Sequence, residues 1–267
     1  MADNRTVNVS SADDVKGTRA SEGMGGLAKG LAVIEAFERA QSALTVAEAA
    51  RLTGITRPAA RRCLLTLTEC GYLSYDGKRY QPTLRLLRLS AAYLSTAQLP
   101  ALAQPYLVAA RVALDQSVSL AVWDDGWSVF VNRAESTHIL SPGVKVGARL
   151  PAASTATGRV LMTSLSEEEL AAVLDRQPPE RHTARTVVDA SQVVEAVRRA
   201  RSDGYAIVDG ELQEGLRALA VPVKDSRGQV IAAMSVNVMA AQVSIDRLRD
   251  EFLPVLVENA TALGRTQ

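Results

Sequence analysis

Apolar residues recur at spacings of three and four through LAKGLAVIEAFERA (27–40), where Leu27, Leu31, Ile34 and Phe37 form one helical stripe. The next segment, SALTVAEAARLTG (42–54), predicts a short helix with Thr45 as N-cap, Glu48 completing a capping box and Gly54 as the stop. A tight ITR turn leads into a third helical pattern over 56–70, with Thr56 as N-cap and Pro58 tolerated in the first turn. After Gly71, short β-prone runs flank Asp76-Gly77, a two-residue hairpin signal. Helix, helix, turn, helix and hairpin is the order of a winged helix-turn-helix, whose third helix is the recognition element. LRLLRLSAAYLSTAQLP (84–100) predicts a further helix with two apolar stripes, Leu86, Leu89 and Tyr93 on one and Leu87 and Leu94 on the other. Such a helix packs against more than one neighbour, and a second subunit is a natural one. Pro100 and Pro105 bracket the next helix start, which places a domain boundary near residue 98.

From residue 117 the period changes to two. SVSLAVWDDGWSVFVNR alternates through Val118, Leu120 and Val122, turns at DDG, and alternates again through Trp127, Val129 and Val131. SPGVKVGARLPAAS reads as a loop with a strand piece, and STATGRVLMTSL and SEEELAAVLD as helices, the second opened by a Ser166–Glu169 capping box. DASQVVEAVRRARSDG predicts a long amphipathic helix running from the Asp189 cap to Gly204. Three strands follow in YAIVDG, RALAVPVKD and GQVIAAMSVNV, and then a closing helix that contains Pro254. The fold class is α+β, with a mostly antiparallel sheet in the second domain. The expected divisions are a disordered tail over 1–26, the winged helix-turn-helix over 27–83, a linker and dimerisation helix over 84–98, and a sensor-like domain over 99–267.

Of the 267 residues, 47% are hydrophobic and 22% charged, enough apolar material for real cores. No apolar run approaches the roughly 18–20 residues needed to cross a bilayer, so no membrane partner is expected. The polar N-terminus does not read as a secretory signal. Cys63 and Cys70, seven apart on one helix, cannot form a disulfide and read as small buried residues in a reducing cytoplasm. With only His138 and His182 besides, no metal site and no cofactor are expected. Charge is unevenly spread. Residues 49–88 carry eight arginines and lysines against Glu69 and Asp76, a net +6 in a chain of net +1, leaving −5 for the remainder. A basic module on an acidic remainder suits docking on a polyanion.

On the third helix, Ala59, Ala60, Cys63, Leu64, Leu67 and Cys70 form the inward stripe. Arg57, Arg61 and Arg62 share the outward one with Pro58, Leu65, Thr68 and Glu69. Arginines in the first two turns of a recognition helix pair with guanine or clamp phosphate. Thr45 and Thr56, at helix N-termini, can hold phosphate through backbone N–H groups, and Lys78 and Arg79 at the hairpin tip can touch the DNA backbone or minor groove. The glycine run GMGGLAKG lacks the preceding strand of a dinucleotide fold and reads as a flexible arm. Asp124 and Asp125 sit in a turn. Ser154, Thr155 and Thr157 near a helix start either cradle a carboxylate or simply cap the helix.

Taken together, KGLAVIEAF, TVAEAARLTGITRPAARRCLLTLTECGYL, YDGKRYQPTLRLLRL, GARLPAASTATGRVLM and DGELQEGLRALAVPVKDSRGQVIAAMSVN resemble the isocitrate lyase regulator (IclR) family of bacterial transcription factors over residues 27–263. TRPAARRCLLTL and RLPAASTATGRVLM are most similar to the branch regulating protocatechuate, p-hydroxybenzoate and β-ketoadipate catabolism, from which Cys63 and Thr157 depart. The resemblance implies a linker helix that dimerises, a GAF-like effector-binding domain for a small organic acid, operator DNA as partner, and dimers that pair into tetramers. Carried onto this chain, the family's effector site falls on Ile139, Pro142 and Leu150 as apolar walls, on Ala156 and Thr157 at a helix start, and on Val208, Ala218, Ser235 and Asn237 on the sheet. Val208 and Ala218 are small and apolar where several members carry acidic or sulfur-bearing residues, which suggests room for a larger or aromatic acid. Arg133 and His138 stand beside these positions as a carboxylate counter-charge. Some relatives bind zinc; the scarcity of His and Cys argues against it here. The leading expectation is a cytoplasmic, non-enzymatic, acid-controlled regulator. One alternative is an enzyme acting on a small carboxylic acid through His138, Arg133 and the 154–157 hydroxyls; another is a DNA-binding regulator without a ligand.

Overall fold

The computed structural model describes residues 24–40, 42–136 and 144–267. The chain divides into two compact units between Tyr93 and Leu94.

In the first unit, α1 (Gly25–Ala40), α2 (Val46–Thr53) and α3 (Arg57–Glu69) enclose Val33, Phe37, Leu44, Ala60 and Leu64, with Leu73 and Tyr80 of the wing strands β1 (Leu73–Tyr75) and β2 (Tyr80–Pro82) closing the core. The Thr45–Glu48 capping box forms, and Gly54 ends α2 in the left-handed conformation at φ 70°. The wing differs from the two-residue hairpin expected. Tyr75 pairs with Tyr80, which leaves a four-residue connection in which Asp76 Oδ1 accepts the N–H groups of Lys78 and Arg79. Those two bonds hold the Asp76 carboxyl below its ordinary range. Cys70 is exposed and Cys63 only half-buried, which corrects their reading as buried residues. Cys70 is the C-cap of α3, where the inward stripe leaves the core as the chain turns at Gly71.

A 3₁₀ turn (Leu84–Leu86) leads into α4 (Leu87–Thr96). Leu84, Leu87 and Leu89 are exposed at 82%, 63% and 54%, so this segment presents an apolar surface. The next helix, α5 (Gln98–Leu114), begins ahead of both prolines rather than between them. Pro100 lies in the first turn, where its missing N–H is not needed, whereas Pro105 is interior and gives up one helical bond.

The second unit is built on a six-stranded sheet in the order β5-β4-β3-β8-β7-β6, antiparallel throughout. Its strands are β3 (Val118–Asp124), β4 (Trp127–Ala134), β5 (Arg149–Pro151), β6 (Ala206–Asp209), β7 (Leu216–Lys224) and β8 (Val230–Met239). Asp125 (φ 37°) and Gly126 (φ 89°) make the β3–β4 turn, both left-handed as a tight hairpin of this twist requires. One face of the sheet, with Val118, Leu120, Leu219, Val221, Met234 and Val236, is buried under α5 and the closing helix α10 (Leu253–Gly264). That closing segment is not one regular helix: α9 (Ile245–Arg247) passes through a π turn at Leu248–Phe252 just ahead of Pro254. A proline cannot donate the bond an α turn needs there. The other face, with Ala121, Phe130, Val208, Ala220 and Ala233, lies under α6 (Ala156–Met162) and α8 (Ala190–Asp203), and α7 (Glu167–Arg176) packs outside them.

The register of β4 slips by one residue opposite Leu120 and Ala121. Phe130 pairs with Ala121 and Asn132 with Leu120, so Val131 is the extra residue and turns into the α5 side of the core. Arg133 is thereby carried to the α6 side, opposite Ser119.

Gly158 of α6 sits against the turn at Ala152 so closely that a Cβ would lie 2.2 Å from the Ala152 Cα and 2.3 Å from its carbonyl oxygen. Gly158→Ala forces backbone apart, and urea unfolding of the second unit is expected to show a loss of about 1–3 kcal/mol.

Candidate functional site

Arg57, Arg61 and Arg62 are exposed on α3, and among the described residues none is ion-paired with a carboxylate. Thr56 caps α3 by backbone conformation only, with no side-chain capping bond, so the N–H groups of the first turn remain open beside the three guanidinium groups. Lys78 is exposed at the wing tip. Leu65, on the outward stripe, is half-buried.

The other two candidate DNA contacts are engaged within the protein. Thr45 Oγ1 donates to Glu48 Oε2 at 2.9 Å and accepts the Glu48 N–H at 3.3 Å, while the Thr45 N–H donates to the same carboxylate at 2.8 Å. These bonds, the backbone one foremost, draw the Glu48 carboxyl below its usual range. Arg79 Nη1 donates to the Ala43 carbonyl at 2.6 Å and to Glu48 Oε2 at 3.3 Å. Glu48 therefore ties the wing to the start of α2, and its charge occupies the N-terminus where a phosphate was expected to sit.

In the second unit the strands bring most of the expected ligand positions onto one face. Val208 faces Ala218 across β6–β7, and Ala218 faces Asn237 across β7–β8. One step along, Ala220, Ser235, Ser119 and Arg133 form a continuous row through β7, β8, β3 and β4. Leu150 and Ala156 join Val208 and Ala218 in the apolar cluster above this face. His138, Ile139 and Pro142 lie outside the described residues.

Arg133 has a side chain only 5% exposed. Its Nη1 donates to Ser119 Oγ at 3.2 Å, and its Nε lies 3.6 Å from Glu135 Oε1, a carboxylate 78% exposed. Burial lowers the arginine's pKa and Glu135 opposes that shift. Ser235 is 1% exposed, and its hydroxyl has no hydrogen-bond partner among the described residues. The row thus combines a desolvated cation with a buried, unused hydroxyl, a combination suited to an anion.

The 154–157 hydroxyls do not converge. Thr155 Oγ1 caps α6 by accepting the Gly158 N–H at 3.1 Å and donates to the Pro151 carbonyl, which is the capping alternative. Thr157 Oγ1 accepts from the buried Ser128 hydroxyl at 2.7 Å. Ser154 is buried elsewhere, in the wall of a separate cleft. Two features escaped the sequence reading. Ser119 was hidden in a strand run, although its alternation with Ala121 assigns it to the α6 face. The buried pair Arg159–Glu211, at 2.7 Å, joins α6 to the loop after β6; Glu211 also accepts the Val187 N–H, and Arg159 Nε donates to the Ala153 carbonyl. Among the described residues no group of three or more His, Cys, Asp and Glu is placed to hold a metal, and no helix is long and apolar enough to cross a membrane.

Comparison with known proteins gives two family matches: the IclR helix-turn-helix domain over residues 26–77, and the bacterial transcriptional regulator IclR C-terminal domain over 91–265. The chain is 37% identical over 235 residues to the Pca regulon regulatory protein of Pseudomonas putida, covering 88% of this chain and 81% of that one. It is 36% identical over 250 residues to the p-hydroxybenzoate hydroxylase transcriptional activator of Acinetobacter baylyi, covering 92% of each. Among solved structures, a double mutant of the PobR inducer-binding domain from Acinetobacter, in complex with 3-hydroxybenzoic acid, aligns with 64% of this chain and 100% of its own at TM-score 0.61 and 30% identity.

The Arg159 and Glu211 side chains are only 6% and 9% exposed, so removing one partner leaves a buried charge. Glu211→Gln or Arg159→Met is expected to destabilise the second unit by about 3–5 kcal/mol in denaturant unfolding, while the double replacement Arg159→Met/Glu211→Leu recovers most of the loss.

Proposed function

The chain belongs to the IclR family of bacterial transcriptional regulators, and on that footing we propose that it is a cytoplasmic regulator whose operator affinity is set by a small aromatic hydroxy acid bound over Arg133. The observation that carries the effector assignment is the buried Arg133 guanidinium in line with Ser119 and Ser235 on a sheet face of small residues. A carboxylate there exchanges water for the arginine and the serine hydroxyls. Among the described residues that the strands place around Ser235, Arg133 is the cation, which favours a monocarboxylate over a dicarboxylate such as β-ketoadipate. Asn237 lies two residues beyond Ser235 on the same face, about 6.6 Å along the strand. That separation is comparable to the distance from carboxyl to phenol oxygen in p-hydroxybenzoate, and Asn237 offers a partner for the hydroxyl. Ala218, Val208, Leu150 and Ala156 then take the ring. The relatives named for p-hydroxybenzoate hydroxylase control and for a 3-hydroxybenzoic acid complex support the same class.

On the DNA side, Arg57, Arg61 and Arg62 with the open α3 N-terminus enter the major groove, and Lys78 takes a backbone phosphate. Thr45 and Arg79 act by holding the wing rather than by contacting DNA. The exposed leucines of the 84–89 segment suit a dimer, and pairing of dimers follows the family pattern. A dimer reads a near-palindromic operator with half-sites about one helical turn apart or a multiple of that.

In a thermal-shift panel, p-hydroxybenzoate, 3-hydroxybenzoate or protocatechuate is expected to raise Tm in proportion to occupancy, with β-ketoadipate inert. Arg133→Gln is expected to abolish the shift and leave operator affinity in the absence of acid unchanged; a full shift in this variant refutes the assignment.

Arg61→Ala and Arg62→Ala are each expected to weaken operator binding by roughly 1–3 kcal/mol if the side chain reads a base. If it holds phosphate instead, all sequences weaken alike and the salt slope drops by about one. Titrating specific and scrambled duplexes at several salt concentrations separates the two.

A further inference from the structure

A cleft of about 290 Å³ opens between the β3–β4 hairpin turn and the α6–α7 layer. Its walls are largely apolar, with Trp127, Met162, Val173 and Leu174 among them. That volume sits at the small end of the range of about 300–1,000 Å³ usual for ligand pockets, room for one ring. Ser154 also lines it, is 1% exposed, and carries a hydroxyl with no hydrogen-bond partner among the described residues. A buried hydroxyl without a partner is rare because its lost hydration is not replaced.

The rim charges decide what the cleft accepts. Arg176 is ion-paired with Asp125 at 2.7 Å, and Glu180 adds a negative charge beside His182. A carboxylate finds no uncompensated cation among the residues lining this cleft. We propose that this cleft is a second ligand site, taking an uncharged single-ring aromatic with one hydroxyl or carbonyl that hydrogen-bonds Ser154. Ala152–Ser154 lead directly into the Thr155 cap of α6, and Met162 is the last residue of that helix. A ligand in the cleft therefore bears on the helix whose first residue, Ala156, belongs to the proposed acid site. The site does not depend on the acid assignment.

The test uses the full-length protein and para-fluorophenol observed by fluorine NMR. Saturable binding is expected at one ligand per protomer, undiminished by saturating p-hydroxybenzoate and retained in Arg133→Gln. Val173→Trp fills the cleft and is expected to remove binding. Ser154→Ala weakens it about fivefold, the usual worth of one hydrogen bond. The ligand-free Ser154→Ala protein should melt no lower than the parent, since the substitution deletes an unsatisfied buried hydroxyl; this keeps the test decisive even if Val173→Trp fails to fold. Absence of saturable binding, displacement by p-hydroxybenzoate, or unchanged affinity in Ser154→Ala overturns the proposal. Failure of p-hydroxybenzoate to bind at all would sink the acid assignment and leave the para-fluorophenol result standing.

Discussion

A sheet buried on both faces must divide its side chains between them, and in the second unit the division is unequal. Toward α5 and α10 the strands present Val118, Leu120, Leu219, Val221, Met234 and Val236, which supply most of the apolar area removed from water. Toward α6 they present Ser119, Ala121, Ala218, Ala220, Ala233 and Ser235. Alanine and serine bury little area per residue, so this face contributes less to holding the fold. It can give volume to a ligand because the opposite face carries the core. Where α6 approaches the sheet layer, it does so with Ala156, Val160 and Leu161.

The periodicity of the chain was enough to find these elements, and it failed where one residue breaks the period. Alternation through Trp127, Val129 and Val131, carried one step further, puts Arg133 on the core side with the valines. The bulge at Val131 reverses that parity and brings the guanidinium beside Ser119. A bulge depends on how two strands pair, and a single strand's pattern does not contain that information. The same limit explains the wing: Asp76-Gly77 marks a turn correctly, but the Tyr75–Tyr80 pairing fixes its length at four. Pro105 inside α5 and the exposed Cys70 are likewise settled by tertiary surroundings rather than by propensity. Capping boxes are local, and both of those expected, at Thr45 and Ser166, form as read. The strand positions Val208, Ala218, Ser235 and Asn237 share one face because register is strongly specified in a sheet with buried faces.

Local hydrogen bonding also sorts the basic residues of the first unit. Two helices there offer N-termini to an anion. At α2 the Glu48 carboxylate already fills that role, satisfying Thr45 and anchoring Arg79 of the wing. At α3 no side chain does so, and the exposed arginines stand beside the open amides. One carboxylate thus separates a structural cation, Arg79, from Arg57, Arg61 and Arg62, which have no carboxylate partner among the described residues. Net charge could not make that distinction, because all of them count equally in the +6 of residues 49–88.

Control by a ligand requires that it bind two conformations with different affinity, whatever its absolute affinity. A desolvated guanidinium suits this purpose better than an apolar wall. Its attraction for an anion is strengthened by the low dielectric around it, and it weakens steeply with misalignment, whereas an apolar contact changes gradually. The Arg159–Glu211 pair joins α6 to the loop that follows β6. β4, which carries Arg133, pairs with β3 along its length and with β5 at Trp127–Val129. At the 84–89 segment Leu84, Leu87 and Leu89 are exposed. In the proposed dimer that surface is covered by the partner subunit. Free energy of the order of 1.4 kcal/mol changes operator affinity tenfold, which is about the worth of one charge-assisted hydrogen bond made in one arrangement and lost in the other.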